Sequence, residues 1–315
     1  MEASKFQDYL GAILILLVAL PSAVLADEEF ERLVIFGDSL SDSGNAFVLT
    51  GEVSVPPYLL VPEAPYARGG MHFSNGQTWV ERLAKKLKLV PNSRPVFRGQ
   101  KKAANYAIGG ARARSTGSTD LSTQVGLYLT NVNYDASDDD TLYVVFIGGN
   151  DIRDAITALA TDPTGATSLS ILTDAINSIQ GNIQALAAAG AEHFMIANAP
   201  DLGVVPAVRL QGIVVQGFAS FLSESFNANL AQVLGLIEEP LDIEIENLDI
   251  FTLINQVVAN PAAFGMVNAQ DPCINPGQIE QPTCSNARQY LFWDGIHPTA
   301  AGHQIIARDA LRVID

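Results

Sequence analysis

Residues 32–42 read RLVIFGDSLSD, and this segment sets the expected architecture of the 315-residue chain. After Arg32 the run to Phe36 is wholly apolar, which is typical of a strand buried on both faces of a parallel sheet. Ser39 follows this strand closely, after Gly37, so it lies where open α/β sheets build their sites. The segment therefore predicts a parallel sheet with an exposed serine hydroxyl at the carboxyl end of one strand.

Apolar runs of strand length alternate with longer helical patterns along the rest of the chain, which predicts an α/β fold with helices on both faces of a parallel sheet. Further strands, each also expected to be buried on both faces, are predicted from Ala103 to Ala107, Thr141 to Ile147, His193 to Ala197 and Asp242 to Glu246. Long helices are predicted from Ser168 to Ala189, from Gln211 to Ile237 and from Pro298 to Val313. We expect residues 27–315 to form a single domain, because one core of this size is ordinary for the class.

The chain is strongly acidic, with a formal net charge of −16. Phosphate backbones repel such a chain, so we expect no nucleic acid partner. The acidic run Asp138-Asp139-Asp140 lacks the spaced ligands and the glycine of a calcium loop. We interpret it as a solvated loop.

The first 26 residues have the pattern of a secretory signal peptide. Lys5 lies near the start, an apolar run spans Leu10 to Leu20, and Val24-Leu25-Ala26 ends in the small residue that signal peptidases require. Cleavage is predicted after Ala26, which would make the mature protein secreted or periplasmic. Acidic residues offset the positive charge of this region, so an uncleaved anchor remains the alternative.

Cys273 and Cys284 are the two cysteines of the chain and lie in a loop rich in Pro, Asn and Gln. In an oxidising compartment they are expected to form one disulfide. Two free thiols or a pair of metal ligands are the alternatives, although no histidine lies nearby in sequence. Two irregular stretches are long enough to be lids or binding edges, namely this loop, from Gly265 to Arg288, and the stretch from Gly51 to Gln77. A plain connecting role is the alternative for both.

A second segment near the end of the chain supplies the partners that a nucleophilic serine needs. It reads WDGIHP over residues 293–298, with Asp294 three residues before His297. A serine hydroxyl requires an imidazole to take its proton, and the imidazole requires a carboxylate to fix its tautomer. We therefore predict Ser39 as nucleophile, His297 as base and Asp294 as the carboxylate that orients it. The α/β-hydrolase elbow G-x-S-x-G is not encoded, because position 41 is serine.

An alternative chemistry would use some of the same residues. Asp38, Asp294 and His297 would be metal ligands in a phosphoesterase, since oxygen and imidazole donors suit divalent cations. This interpretation is the weaker one, because the other three histidines stand singly in the sequence and supply no further ligand cluster. We expect no metal and no cofactor.

Two glycine-rich strand ends are candidates for the oxyanion hole that acyl transfer needs. Residues 105–111 read NYAIGGA, and residues 146–151 read FIGGND. The adjacent Gly109 and Gly110 allow backbone N–H groups to approach a ligand, and Asn150 adds a side-chain amide. Strand-to-helix turns, with Asn150 and Asp151 as helix caps, are the alternative.

These four segments resemble, in order, the signature blocks of the SGNH or GDSL esterase/lipase family. Ser39 corresponds to the family nucleophile, and Gly110, Asn150 and His297 correspond to its defining glycine, asparagine and histidine. The resemblance implies an oxyanion hole made of the backbone N–H groups of Ser39 and Gly110 and the side-chain amide of Asn150. It also implies a three-layer α/β/α sandwich around a flavodoxin-like, mostly parallel sheet. The branch of plant-type GDSL lipases and bacterial secreted esterases is similar in further segments, at residues 198–203, 226–230 and 271–273.

The resulting hypothesis is a secreted or periplasmic serine esterase or lipase that hydrolyses carboxylic esters through an acyl-serine intermediate. Lipid or simple acyl esters are the expected substrates, because loop aromatics such as Phe73 and Phe264 favour an acyl chain. An acyltransferase or carbohydrate acetylesterase using the same site, and a non-catalytic binding protein, are the alternatives. Arg112 and Arg114 would meet an anionic head group or stay solvated. The expected partner is a small-molecule or lipid ester, with transient contact to a lipid surface and no obligate protein partner.

Overall fold

A parallel sheet runs through the centre of the computed structural model, which describes residues 30–51, 71–274 and 284–314. In these residues the sheet has four strands in the order β1-β2-β3-β4, and every neighbouring pair is parallel. The predicted leader and parts of the two long loops lie outside the described residues. The strands are β1 at Arg32–Gly37, β2 at Thr141–Phe146, β3 at His193–Ala197 and β4 at Glu244–Leu248.

The first three strands form where the sequence predicts them, and the fourth is displaced. β2 is buried along its whole length, and β1 is buried after Arg32. β4 begins at Glu244, later than the predicted Asp242, and it exposes Glu244, Glu246 and Asn247. The prediction of a strand buried on both faces is wrong here. Within the described part of the chain β4 pairs only with β3 and forms an edge of the sheet, where exposed charges discourage pairing with other chains.

The predicted strand from Ala103 to Ala107 lies beside β1 but pairs with it only briefly. The N–H of Ile35 donates to the carbonyl oxygen of Ala104 (3.0 Å), and the carbonyl oxygen of Ile35 accepts from the N–H of Tyr106 (2.7 Å). With this segment counted second along the chain, the spatial order becomes 2-1-3-4-5, which is the flavodoxin-like order. The segment is too short to complete the ladder along β1.

Two side chains take up the N–H groups of β1 that this short segment does not reach. The N–H of Leu33 donates to Oδ1 of Asn92 (3.3 Å), and the N–H of Gly37 donates to Oε1 of Gln124 (2.9 Å). Nε2 of Gln124 also donates to the carbonyl oxygen of Gly37 (2.8 Å). Gly37 must be glycine, because a Cβ there would lie 2.5 Å from the carbonyl oxygen of Phe146. The strand end that carries Ser39 is therefore held from both sides.

Helices cover both faces of the sheet, which makes the fold an α/β sandwich. The helices of the described residues are α1 at Asn45–Leu49, α2 at Trp79–Lys86, α3 at Leu121–Asn131, α4 at Gly149–Ala158, α5 at Ala166–Ala188, α6 at Pro206–Arg209, α7 at Ile213–Leu241, α8 at Ile250–Ala259 and α9 at Ala300–Ile314. One group pairs α2 with α9, and the other consists of α3, α4, α5 and α7. The three predicted long helices are α5, α7 and α9, with small shifts at their ends. Across the described ranges, no helix combines the length and the apolar character needed to cross a bilayer.

A small parallel pair of strands, β5 at Asn268–Pro272 and β6 at Tyr290–Phe292, anchors the loop that carries the cysteines. Cys273 and Cys284 are joined by the predicted disulfide. The backbone N–H of Cys273 donates to the carbonyl oxygen of Phe292 (3.1 Å), and the buried Trp293 packs against Cys273. The disulfide loop thus anchors the chain directly before Asp294.

Replacing Gln124 by leucine should lower the free energy of unfolding by about 3 kcal/mol, because the buried N–H of Gly37 would lose its acceptor. The hydrogen bonds from Nε2 to the carbonyl oxygens of Gly37 and Thr119 would be lost as well. Urea unfolding followed by circular dichroism measures the change. The exposed Gln256 on α8 provides the control, and Gln256→Leu should shift stability by less than about 0.5 kcal/mol. Equal effects of the two substitutions would contradict the role given to Gln124.

Candidate active site

Ser39 lies in a tight turn directly after β1. The carbonyl oxygen of Asp38 accepts hydrogen bonds from the backbone N–H groups of Ser41 (3.1 Å) and Asp42 (3.0 Å). Oδ1 of Asp38 accepts a further bond from the N–H of Leu40 (3.0 Å). These bonds close the turn, and Ser39 is left partly exposed beside the buried Asp38. The hydroxyl is therefore accessible at the carboxyl end of the strand.

Ser39, His297 and Asp294 form a continuous line of hydrogen bonds. Nε2 of His297 is 2.9 Å from Oγ of Ser39, and Nδ1 of His297 is 2.7 Å from Oδ2 of Asp294. Oδ1 of Asp294 accepts the backbone N–H groups of Ile296 (2.8 Å) and His297 (2.7 Å). One carboxylate therefore fixes both the backbone and the ring of the histidine, which the three-residue spacing makes possible within a single turn.

The Asp294 carboxyl is buried, yet its surroundings favour its charged form. Burial acts to raise the pKa of Asp294, but the charge and ring of His297 and the two backbone N–H donors act against burial. The net result is a pKa below the usual value, so Asp294 is ionised at neutral pH. The Phe73 ring also contacts the imidazole, with its centroid 5.2 Å from that of His297 and the two planes tilted by 37°. The imidazole is thus in contact with a carboxylate and an aromatic ring.

Two backbone N–H groups in these turns, those of Ser39 and Gly110, donate no hydrogen bond within the described residues. The N–H of the adjacent Gly109, by contrast, donates to Oδ2 of Asp42 (2.8 Å). This difference separates the two neighbouring glycines, because only Gly110 keeps an N–H for a ligand. Gly110 has a φ of +81°, a conformation that other L residues rarely adopt.

Asn150 lies in the first turn of α4 with its side-chain amide directed at the turn that carries Ser39. Nδ2 donates to the carbonyl oxygen of Ala111 (2.8 Å) and makes a longer contact with Oδ2 of Asp38 (3.4 Å). The short bond orients the amide, whereas a bond of 3.4 Å is weak and its hydrogen is easily redirected. The N-cap of α4 is Gly148, and no side chain caps this helix, so neither Asn150 nor Asp151 has the capping role considered from sequence.

A buried carboxylate that the sequence analysis did not assign connects these turns. Asp42 accepts three backbone N–H groups at the start of α1, from Gly44, Asn45 and Ala46, at 2.6–2.9 Å. Its fourth donor is the N–H of Gly109. Burial raises the pKa of Asp42, and the four backbone donors oppose that shift. A single side chain therefore fixes the turn after Ser39 and the turn that presents Gly110.

Two asparagines, Asn45 and Asn105, extend this connection. Only Asn45 lies in a local sequence pattern that could have pointed to it. Nδ2 of Asn45 donates to the carbonyl oxygens of Asn105 and Ala107, both at 2.8 Å. Nδ2 of Asn105 donates to the carbonyl oxygen of Ser41 (2.8 Å). Residues 42–45 read DSGN, a composition typical of a turn. This pattern could have indicated both Asp42 and Asn45. Asn105 stands within an apolar strand pattern and carries no such signal.

Arg112 and Arg114 are engaged within the fold. The guanidinium of Arg112 forms a two-point pair with Asp154, and that of Arg114 contacts both Asp151 and Asp154. Oδ2 of Asp151 also accepts the N–H of Ala113 (2.8 Å). The two arginines therefore tie the segment after Gly110 to α4, which leaves a head-group role without support.

An apolar pocket of about 120 Å³ opens at Ser39. Four polar side chains line it besides Ser39, namely Asp38, Asn150, Arg153 and Gln211. Its remaining walls are apolar and include Leu202, Val205, Val208, Ile250, Ile254, Phe292, Ile296 and Ile306. The serine hydroxyl thus stands at the entrance of a cavity suited to hydrocarbon.

The sequence model of a family described as GDSL-like Lipase/Acylhydrolase matches residues 33–310. The chain belongs to the GDSL lipase family. It is 27% identical over 312 residues to a GDSL esterase/lipase of Arabidopsis thaliana, a match that covers 87% of this chain and 83% of that protein. It is 26% identical over 319 residues to the thermolabile hemolysin of Vibrio parahaemolyticus, which covers 92% of this chain and 65% of that protein.

Solved structures include a similar acetylxylan esterase from Geobacillus stearothermophilus. The TM-score is 0.48 and the sequence identity 16%, over 90% of this chain and 93% of that one. The match to the GDSL family places the activity of the chain among the carboxylic ester hydrolases.

The metal-ligand alternative finds no support in the geometry of the GDSL site. Both ring nitrogens of His297 are bonded to protein groups, one to Asp294 and one to Ser39. Asp38 contacts Leu40 and Asn150 instead of a histidine. Among the described residues no group of three or more His, Cys, Asp or Glu side chains is arranged to hold a metal ion.

Asp38 should make the stability of the protein depend on pH between about 4 and 6. Burial raises the pKa of Asp38 from its usual 3.8 to about 6, against the N–H of Leu40 and the charges of His297 and Arg153. In this window the folded state binds more protons than the unfolded state, so this group's contribution to stability falls as pH rises. Replacement by asparagine removes that dependence. Asp38→Asn should therefore gain up to roughly 3 kcal/mol relative to wild type between pH 4 and pH 7.

Urea unfolding of both proteins across this pH range measures the difference. Asp139→Asn, in the exposed acidic loop, is the matched control and should track wild type at every pH. A difference between Asp38→Asn and wild type that stays constant with pH would contradict the assignment.

Proposed function

We propose that this protein is a secreted serine esterase or lipase that hydrolyses esters carrying an apolar acyl chain. The observation that carries the proposal is the Ser39–His297–Asp294 line of hydrogen bonds at the mouth of the apolar pocket. The line provides a nucleophile, a base and an orienting carboxylate in contact. The pocket provides a place for the acyl group next to that nucleophile.

Acylation begins when Oγ of Ser39 attacks the ester carbonyl carbon. The hydroxyl proton passes to Nε2 of His297, and the carbonyl π electrons move to oxygen, which becomes an oxyanion. Collapse of this intermediate breaks the bond to the alcohol, and the alcohol leaves with the proton from Nε2. The product is an acyl ester on Ser39.

The developing oxyanion is proposed to bind three donors. These are the backbone N–H groups of Ser39 and Gly110 and one N–H of the Asn150 amide. The absence of an internal acceptor for either backbone group, within the described residues, supports this role. For Asn150 the weak contact with Asp38 is exchanged for the oxyanion, while the bond to Ala111 keeps the amide in place.

Deacylation repeats the same steps with water as the nucleophile. His297 takes a proton from water as it attacks the acyl carbon, and then returns the proton to Oγ of Ser39 as the acid departs. Asp294 keeps Nδ1 of the ring protonated and stabilises the imidazolium in both half-reactions. If an alcohol replaces water, the same site transfers the acyl group, so the product ratio with added glycerol separates hydrolase from transferase.

The apolar pocket supports acyl esters over carbohydrate acetates. Ile250, Ile254 and Ile306 line this cavity and offer apolar contacts to an acyl chain longer than acetyl. Burying hydrocarbon there contributes about 0.8 kcal/mol for each methylene, so longer chains should bind more tightly until the pocket is full.

Secretion is the further part of the proposal, with residues 1–26 as a leader and residues 27–315 as one hydrolase domain. The disulfide between Cys273 and Cys284 supports it, because such bonds persist in oxidising compartments. N-terminal sequencing of protein recovered from outside the cytoplasm tests the leader. The proposal requires a mature chain that begins at Asp27.

Ser39→Ala should lower turnover of p-nitrophenyl esters by about 10³-fold or more, because the nucleophile is lost. Asn150→Ala should lower kcat by roughly 10²- to 10³-fold with less effect on KM, because its donor acts mainly in the transition state. Steady-state kinetics of the purified protein measure both. Unchanged turnover in Ser39→Ala would overturn the proposal, and failure of a covalent serine probe to label Ser39 would favour a binding protein.

Chain-length preference should respond to the depth of the pocket. Wild type should favour medium or long p-nitrophenyl esters over the acetate. Ile254→Trp fills part of the cavity, so it should reduce kcat/KM for long esters by about tenfold more than for the acetate. Gln256→Trp, exposed on the same helix, should leave the ratio unchanged. Acetate preference in wild type would move the substrate towards carbohydrate esters.

A further inference from the structure

Exposed apolar side chains are concentrated at the start of α7 and in the turn just before it. Five of the twelve large exposed hydrophobic residues in the described part of the chain fall within positions 210–221. They are between 51% and 78% exposed, and we call them the apolar ridge: Leu210, Ile213, Val214, Phe218 and Phe221. Scattered exposed hydrophobic residues need no explanation, but a contiguous group marks an interaction surface.

On α7, Val214, Phe218 and Phe221 are spaced by four and three residues, so they form one stripe of the helix, with Ile213 beside it. Leu210 follows α6 and lies before Gly212, the N-cap of α7. The opposite face of α7 is buried against the segment after β3. Oγ of Ser223 accepts the N–H of Leu202 (3.1 Å), and Oγ of Ser220 donates to Asp201 (2.7 Å). The ridge therefore points away from the core. Its side chains are exposed although α7 itself is packed against the rest of the fold.

The ridge is continuous with the entrance of the active-site pocket. Val208 and Gln211, immediately before the ridge helix, line the pocket together with Ser39. The N–H of Ala207 donates to the carbonyl oxygen of Gly295 (2.9 Å), which lies between Asp294 and His297. One short segment therefore joins the exposed apolar surface to the catalytic loop.

The charge around the ridge selects the kind of surface it fits. Residues 210–223 contain no charged side chain, in a chain whose net charge is −16. Helices that bind anionic membranes carry lysine or arginine along their polar face, and this helix does not. An anionic surface would also be repelled by the rest of the molecule. The surface that complements the ridge therefore has an apolar interior and an outer layer that is uncharged or zwitterionic.

We propose that the apolar ridge docks the enzyme on the surface of neutral or zwitterionic lipid aggregates. Docking places the pocket entrance at the lipid boundary, where an acyl ester passes into the pocket without crossing water. The inference rests on the proposed function for the identity of the substrate, but docking itself does not require catalysis. Binding and hydrolysis are therefore measured separately.

The binding test uses the full-length mature protein carrying Ser39→Ala, so that no substrate is consumed. Flotation with vesicles of diether phosphatidylcholine should recover the protein, and diether phosphatidylglycerol vesicles should recover less. Adding Ile213→Gln and Phe221→Gln should weaken binding to the phosphatidylcholine vesicles by about tenfold or more, since two apolar side chains leave the lipid. The matched control replaces Leu169 and Leu236, which are 66% and 65% exposed outside the ridge, by glutamine and should bind like the parent.

The activity test uses the same substitutions with Ser39 restored. The ridge variant should hydrolyse soluble p-nitrophenyl acetate at the wild-type rate, and it should lose about tenfold in rate on p-nitrophenyl palmitate held in neutral micelles. The control variant should match wild type on both substrates. Serine-dependent hydrolysis without vesicle binding would overturn the docking proposal and leave the proposed function standing. Vesicle binding without serine-dependent hydrolysis would overturn the proposed function and leave the docking proposal standing.

Two further results would also overturn docking. If light scattering shows a dimer that the ridge variant alone disrupts, and vesicles are not bound, the ridge contacts a second copy of the chain. If the ridge variant is less stable to urea than the control variant, the side chains are covered by the chain itself. The proposal requires a monodisperse ridge variant with the stability of the control.

Discussion

The buried carboxylate of Asp42 is the interaction on which the arrangement of this site depends. Burying an ionised group costs several kcal/mol unless hydrogen bonds replace its lost water. Four backbone N–H groups do so here, and hydrogen bonds to charged groups contribute about 1.5–3 kcal/mol each. Three of the donors lie at the start of α1 and the fourth belongs to Gly109. Since Gly109 is held by Asp42, Gly110 is turned outward with its N–H free.

The parallel sheet explains why these parts meet. The carboxyl ends of β1, of the short segment at residues 104–108 and of β2 lie at one edge, and each is followed by a turn that contains glycine. His297 arrives from a remote part of the chain and needs a separate anchor. The parallel pair β5–β6 and the disulfide provide it, so the histidine loop is fixed independently of the sheet.

The site is polar at the reacting atoms and apolar beyond them, and this division has an energetic reason. In the proposed mechanism, groups that are already hydrogen-bonded reorganise little during the reaction, which is the main advantage of a preformed oxyanion hole. Apolar walls add binding energy in proportion to the hydrocarbon they cover. The apolar ridge on α7 continues the same logic outside the pocket, because α6 connects the ridge to both the pocket wall and the loop of His297.

Local sequence was sufficient where the signal is local. The apolar runs of β1 to β3 predict strands, the helical period predicts α5, α7 and α9, and the spacing of Asp294 and His297 predicts a shared turn. The family resemblance further singled out Ser39, Gly110 and Asn150 before any geometry was known. These features depend on neighbouring residues or on a recurring motif, and so they are readable along the chain.

Tertiary structure decided the rest, because those features depend on residues far apart in sequence. Asp42 and Gly109, or Gln124 and Gly37, become partners only once the sheet has formed, and no local pattern shows that they pair. Residues 242–246 read DIEIE, an alternation that fits a half-exposed strand, but only the pairing of β4 with β3 shows that the strand lies at the sheet edge. Likewise α7 has a helical pattern in sequence, but only its packing shows which apolar face is buried and which one faces water.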